Sequence, residues 1–387
     1  MRVEHQVRAF EQIFAAYDGV LPLHRFLFSY FKQNKQMGSS DRRWATRYLY
    51  SFFRLGKALP KIEAIERLAI ADFLCHNTPS LIVESYLKEL APQQASPLAE
   101  KIDHIKKRYP KFKMEDVFVL HEQLSKSIEK DKFLNSFFVQ PNLFIRVKGT
   151  HIQAVKNQLK AKDIAVDEVG ENGLSIPNGT KLEDVLPDSR LYQVQDLSSQ
   201  KTGAYFMPIK YDYWWDCCAA SGGKSLLLHD IEPNIELLVS DVRENSLSNL
   251  DERFQLAGIK KYHKKVIDLL QNNDQTLHHY GFDGILLDAP CSGSGTWGRT
   301  PEMLYYFEKY KIENYVKLQK AFAGNVIKYL KPGKPLIYMT CSVFSAENED
   351  VVQHIEENFP VKLEKMELIK GYNDRADSMF VARFIKQ

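Results

Sequence analysis

Cysteine is scarce in this sequence and never paired in a C-x-x-C motif. The five cysteines are Cys75, Cys217, Cys218, Cys291 and Cys341. That odd set argues against a disulfide framework and against a zinc site, and leaves individual thiols as candidates for reactivity. Long apolar runs are missing as well. No stretch approaches the roughly 18 residues that span a bilayer, and residues 1–20 carry acids and lack a signal-like core. A cytoplasmic protein with no membrane partner is therefore expected. Strong charge of one sign is also absent, since the net charge is only +3 over 387 residues. That balance alone does not identify a polyanion partner. Its distribution says more: residues 1–130 hold 21 Lys+Arg against 15 Asp+Glu, and the remainder holds 31 against 34. A basic front part suits a polyanion-docking appendage, and a solvated helical surface would look much the same.

What is present begins with helices. From Val7 to about Leu90 apolar residues recur at helical spacing while glycine and proline are sparse, which predicts an all-helical domain. One helix stands out, opening at Ser39-Ser40-Asp41 and continuing through DRRWATRYLYSFFRLGK. Arg43, Arg47, Arg54 and Lys57 fall near one face, and Tyr48, Leu49, Phe52 and Phe53 can pack inward. The basic face is a candidate RNA backbone contact, with a plain solvated helix as the alternative. Residues 91–110 contain Pro92 and Pro97 and read as a hinge or partly ordered connection. The basic run Lys106, Lys107, Arg108, Lys111 and Lys113 is expected to be exposed.

A second unit starts near Asn142, with strand NLFIRVK, a helix over residues 151–161, strand IAVDEV and the apolar LSI. That order suggests a small α+β module of the ferredoxin-like kind, an RNA platform or a passive spacer. From about Tyr192 strands and helices alternate. YDYWWDCC, IELLVSDV, KKVIDLL, FDGILLDAP and KPLIYMTCS are strand candidates, and VKLEKMELI and DSMFVARFI close the chain. The expected fold class is α/β: a doubly wound, mostly parallel sheet, preceded by the α+β module and the helices.

Such sheets bind ligands beyond the carboxyl ends of their strands, and the chemistry-bearing residues collect there. Asp216, Asp241, Asp268 and Asp288 each end a strand candidate. A carboxylate after the second strand suits ribose hydroxyls, and one after the third can meet an adenine amino group. Each alone is more often a cap, but four in register describe a nucleoside-containing cofactor. Between the first strand and its helix, Cys218, Ala219, Ala220, Ser221, Gly222, Gly223 and Lys224 form a loop of small residues where a backbone can approach a ligand. Gly223-Lys224-Ser225 imitates the tail of a P-loop, but the leading glycine would fall at Cys218. Gly293, Gly295 and Gly298 imitate a dinucleotide fingerprint, but they follow the fourth strand, and Arg299-Thr300-Pro301 interrupts the helix. Cys291 follows Asp288, and Cys341 follows the fifth strand. The two thiols should share one pocket, with nucleophilic chemistry as one reading and two buried structural cysteines as the other. A free thiol is only a few per cent thiolate at neutral pH. One of the pair therefore needs a nearby positive charge, and Lys224 is the nearest candidate.

Taken together, DCCAASGGK, DAPCSGSGTWGRTPE and YMTCSVFSAENE resemble, in order, the motifs of the Nop/Sun family of RNA cytosine-carbon-5 methyltransferases. The resemblance runs from about Gln140 to the C-terminus and includes Gln195-Asp196-Leu197-Ser198-Ser199. The helices of residues 1–130 resemble the NusB-like bundle of members acting on 16S ribosomal RNA. The resemblance implies S-adenosylmethionine held by Cys218 to Lys224, with Asp241 at the ribose, Asp268 at the adenine and Asp288 near the methionine end and the base. It implies that Cys341 attacks carbon 6 of cytosine, that Asp288 grips the base and that Cys291 completes the reaction. Ser221 stands where the family has proline, and Gly333-Lys334 where it has Gly-Gly. The implied layout is a helical RNA-binding domain over 1–130, an α+β module over 131–190 and a catalytic domain over 191–387, without metal and as a monomer. The implied partner is 16S ribosomal RNA or a small-subunit assembly intermediate. The same chemistry on tRNA and a non-catalytic assembly factor are the alternatives.

Overall fold

A computed structural model describes residues 3–387, and contact between segments divides them into two units. One unit takes residues up to 122, 129–140 and 296–308, and the other takes 123–128, 141–295 and 309–387.

The first unit is helical. Helix Ser39–Arg54 begins after Gly38, whose N–H donates to the Asp41 carboxylate at 3.2 Å. Tyr48, Leu49, Phe52 and Phe53 are buried, and Phe52 meets Phe14 of helix Val3–Ala16 edge-on with ring centroids 4.8 Å apart. Burial of this aromatic face, at roughly 2–3 kcal/mol per ring, outweighs the modest intrinsic helix preference of its Phe and Tyr residues. The basic face departs from the expectation of four exposed cations. Arg47 donates from Nε and Nη2 to both oxygens of fully buried Asp72, at 2.7 and 2.8 Å. Arg54 is itself buried and donates to the carbonyls of Phe137 (2.6 Å) and Gly298 (2.7 Å) and to Gln140 Oε1 (2.8 Å). Both guanidinium groups close this unit internally, and only Arg43 and Lys57 of the four are exposed. The expected hinge over 91–110 is instead mostly helix Leu98–Arg108, with Ile102, Ile105 and Lys101 buried. Pro97 sits at its N-cap, so the proline starts the helix rather than breaking it.

The second unit holds two sheets. The smaller is antiparallel, from β1 (Leu143–Val147), β2 (Asp167–Val169), β3 (Gly173–Ile176) and β4 (Tyr192–Val194), in the order β2-β3-β1-β4. Helices Ile152–Lys160 and Leu182–Val185 complete a βαββαβ order, so the ferredoxin-like pattern is present with a second helix of a single turn. Its fourth strand is too short to signal itself in the sequence.

The larger sheet comprises β5 (Tyr213–Asp216), β6 (Glu236–Asp241), β7 (His263–Val266), β8 (Gly284–Asp288), β9 (Pro335–Thr340), β10 (Val361–Ile369) and β11 (Met379–Lys386). The order is β10-β11-β9-β8-β5-β6-β7, parallel except for β11, which runs antiparallel to β9 and β10. Alternation within strands decides the two faces. Trp214, Leu286, Ile337 and Met339 pack with helices Gly223–Ile231 and Glu244–Ala257, while Trp215, Ile285, Leu287 and Tyr338 pack with helices Tyr310–Ile327 and Glu349–Asn358. The chain winds outward from β5 through β7, then returns to β8 on the other side of β5. That reversal opens a crevice at the carboxyl ends of β5 and β8.

Candidate active site

β8 and β9 are parallel neighbours, with Asp288 opposite Met339, so the residues that follow both strands leave the sheet at one end. The loop after β8 carries Cys291 and the residue after β9 is Cys341, and their Sγ atoms lie 3.3 Å apart. Backbone hydrogen bonds stitch the two loops together. Gly295 N–H donates to Cys341 O at 2.8 Å, and Ser378 N–H donates to Gly295 O at 2.9 Å. A Cβ on Gly295 would stand 2.2 Å from Ser378 O. The glycine that imitated a dinucleotide fingerprint is therefore required by this close approach of chains. Hydrogen bonding to Cys341, with burial added, pushes the Cys291 thiol well above its ordinary value, so Cys291 keeps its proton at neutral pH.

Lys224 reaches this end of the sheet from the first turn of helix Gly223–Ile231. Its Nζ donates to Asp288 Oδ2 at 3.0 Å and lies 3.8 Å from Met379 Sδ. The expectation that Lys224 supplies charge to a thiol is not what the structure shows: its partners are the Asp288 carboxylate and a thioether. The loop before it is tightly wound. Gly222 has φ +81, and a Cβ there would meet Leu250 and Phe254 at 2.9 and 2.8 Å. Ala220 is held at φ +46, at a cost of roughly 1–2 kcal/mol for a residue with a Cβ. Its N–H donates to Asp241 Oδ2 at 3.0 Å, which offsets the strain. Ser221 has a partner of its own, because Arg253 Nη1 donates to its carbonyl and hydroxyl oxygens at 3.0 and 3.1 Å. Lys334, at the second departure from the family pattern, donates to Asp212 at 2.9 Å.

The four acids diverge in environment. Asp241 Oδ1 accepts from the Arg243 N–H and Nε at 2.9 and 3.1 Å, and the Arg243 side chain is mostly exposed. Asp268 is half-buried and accepts the Leu270 N–H at 2.9 Å. Asp216 does not face the crevice. It is fully buried and accepts the Ser225 hydroxyl at 2.6 Å, and burial pushes its carboxyl up to about 7. It fastens the helix that carries Lys224 to the end of β5. Three carboxylates, a loop of small residues at a helix start and a lysine–aspartate pair fit a nucleoside with a charged amino-acid tail. Sequence reasoning missed the residues beneath the thiols, Ser292, Ser342, Gln319 and Glu347. The only sequence signal of Ser292, Ser342 and Glu347 is their place beside the cysteine motifs, and Gln319, within helix Tyr310–Ile327, has none.

A sheet of this order with a site at the ends of β5 and β8, preceded by a helical region, defines the Rossmann-like methyltransferase fold. The model of the family described as 16S rRNA methyltransferase RsmB/F matches residues 204–384. Ribosomal RNA small subunit methyltransferase B of Shewanella oneidensis is 33% identical over 159 residues, covering 41% of this chain and 37% of the relative. Its namesake in an Enterobacter species is 27% identical over 292 residues, covering 70% and 63%. The chain thus spans less than two thirds of the length of these relatives. Among solved structures, PH0851 aligns with a TM-score of 0.74 at 19% identity over 99% of this chain and 98% of that one. NSun6 from Pyrococcus horikoshii with SFG aligns at 0.60 and 19%, over 69% and 97%. These two likenesses are of fold. Residues 204–384, just under half of the chain, are thus similar to the RsmB/F methyltransferase family.

Proposed function

We propose that the chain transfers a methyl group from S-adenosylmethionine to carbon 5 of a cytosine in RNA, with 16S ribosomal RNA or a small-subunit assembly intermediate as substrate. The observation that carries this reading is the pair of thiols 3.3 Å apart beyond adjacent parallel strands. The names of the curated relatives favour ribosomal RNA over tRNA. Cys218 to Lys224, Asp241, Asp268 and Asp288 would hold the cofactor, which supplies an electrophilic methyl group when bound.

Carbon 5 of cytosine is a poor nucleophile until something adds at carbon 6. Cys341, as thiolate, forms a bond from Sγ to carbon 6, and the π pair of the 5,6 double bond becomes available at carbon 5, which accepts the methyl group. Asp288, placed by Lys224, holds the polar edge of the base and assists its protonation. Cys291, once its own proton has passed to solvent, takes the proton from carbon 5 as thiolate and becomes a thiol again, the 5,6 double bond re-forms and Cys341 leaves as thiolate. A base in a paired stem must be unstacked to enter.

Cys341→Ala is expected to abolish transfer of labelled methyl groups to RNA. Cys291→Ala is expected to accumulate a covalent protein–RNA adduct on a denaturing gel. Full activity in Cys341→Ala would overturn the mechanism. Bisulfite sequencing of RNA from a deletion strain reads the substrate, and loss of a mark from tRNA alone would replace ribosomal RNA as the target.

A further inference from the structure

Beneath the two thiols lies a carboxylate that the reaction above does not use. Glu347 is fully buried at the end of a short turn, Ser345–Glu347, and its carbonyl accepts the Tyr338 hydroxyl at 2.6 Å. Its Oε1 accepts the backbone N–H of Ser292 at 2.8 Å and the Gln319 amide at 3.0 Å. Its Oε2 accepts the hydroxyls of Ser292 and Ser342, each at 2.5 Å. Ser292 follows Cys291 and Ser342 follows Cys341. The same Gln319 amide donates to the carbonyl of Pro290, the residue before Cys291, at 2.9 Å. One carboxylate therefore grips the residue next to each sulfur, across two loops separated by 50 positions in the chain.

A buried carboxylate is costly unless its lone pairs are filled, and apolar packing would stabilise such a position at least as well. Here the donors come from the two cysteine-bearing loops and from Gln319. We propose that Glu347 is a positioning residue that clamps the Cys291 and Cys341 loops together and sets the separation of their thiols. The inference rests on reading those cysteines as the reacting pair. Ser294 adds a lighter tie, with its Oγ 3.2 Å from Ser342 Oγ and accepting the Val343 N–H at 2.9 Å. Glu347→Gln keeps the volume but replaces one acceptor oxygen with an NH2 group. Facing the Ser292 N–H it would leave that donor unpaired, and facing the two hydroxyls it would turn them from donors to a carboxylate into acceptors from a neutral amide, so the charge-assisted arm of the clamp is weakened.

Two readouts test this in the full chain. The first is the yield of Cys291–Cys341 cross-link with dibromobimane, mapped by mass spectrometry, which needs no methyl transfer. The second is kcat set against cofactor Kd. Glu347→Gln is expected to lower the cross-link yield and to lower kcat by about 100-fold, the cost of an ångström-scale misplacement, with cofactor binding unchanged. Ser342→Ala removes one arm and is expected to lower kcat about tenfold, the equivalent of one net hydrogen bond. Should Glu347→Gln not fold, Ser342→Ala decides. Wild-type cross-linking and kcat in Ser342→Ala, or in folded Glu347→Gln, overturn the clamp. If the unsubstituted chain transfers no methyl group, the functional reading fails and the cross-link alone judges Glu347.

Discussion

Asp216 shows how much a single side chain depends on its surroundings. Read from sequence it is one of four acids along a sheet edge. Folded, it is sealed beside Ser225, and burial carries its carboxyl from an ordinary 3.8 to about 7. Between those values the folded chain holds a proton that the unfolded chain has released. Its contribution to stability is therefore full below pH 3.8 and declines as pH rises to about 7. Asp216→Asn stays neutral throughout and can still accept from Ser225. It is expected to be more stable than the original chain at pH 8, by on the order of a few kcal/mol at roughly 1.4 kcal/mol per pKa unit, and to lose less on going from pH 5 to pH 8. Thermal melts at the two pH values check this, and identical pH dependence in the two proteins would refute it. Cys291 and Cys341 are a case where spacing along the chain says nothing. Fifty residues separate them, and only the parallel pairing of β8 with β9 brings the sulfurs to 3.3 Å.

Elements with a strong period were legible, and those defined by their neighbours were not. Helix Glu244–Ala257 and the central strands β8 and β9 follow their apolar patterns closely, because a strand buried on both faces must be apolar throughout. β4 has three residues and exists because β1 offers it an edge. Helix Leu98–Arg108 was hidden by the proline that starts it. Glycines divide in the same way. The turn role of Gly222 can be suspected from sequence, whereas Gly295 is required by a carbonyl 83 positions away, at Ser378. Gly295→Ala is expected to spread the Cys291 loop from β11. The cost is about 1–3 kcal/mol of stability, as for other overpacked sites. Loss of methyl transfer should exceed what the fall in melting temperature explains, and an alanine variant with unaltered turnover would contradict this account.

For the whole molecule the charge asymmetry keeps its meaning in altered form. Arg47 and Arg54 no longer count among the exposed cations. Lys106, Lys107, Lys111 and Lys113 stay exposed, so the basic character of the helical unit rests more on this run than on the long helix. Replacing these four lysines together with alanine is expected to leave the melting temperature nearly unchanged and to weaken RNA binding. The logarithmic salt slope of binding should become shallower by roughly 0.7–0.9 for each phosphate that is no longer neutralised. Turnover at saturating RNA should be preserved. Affinity and salt slope both equal to those of the original chain would remove this run from the RNA surface. No helix among the described residues is long and apolar enough to cross a membrane.

The sequence by itself determined the order of strands and helices around the larger sheet, the class of that sheet and the places where thiols and acids leave it, because apolar periodicity and small-residue turns are local signals. Tertiary structure alone decided which charges are spent internally, which acid is sealed from the crevice and what lies under the thiols. Those outcomes depend on partners far away in the chain. Ser292 and Ser342 meet on Glu347, and Arg54 finds Phe137 and Gly298, through packing that no local pattern encodes.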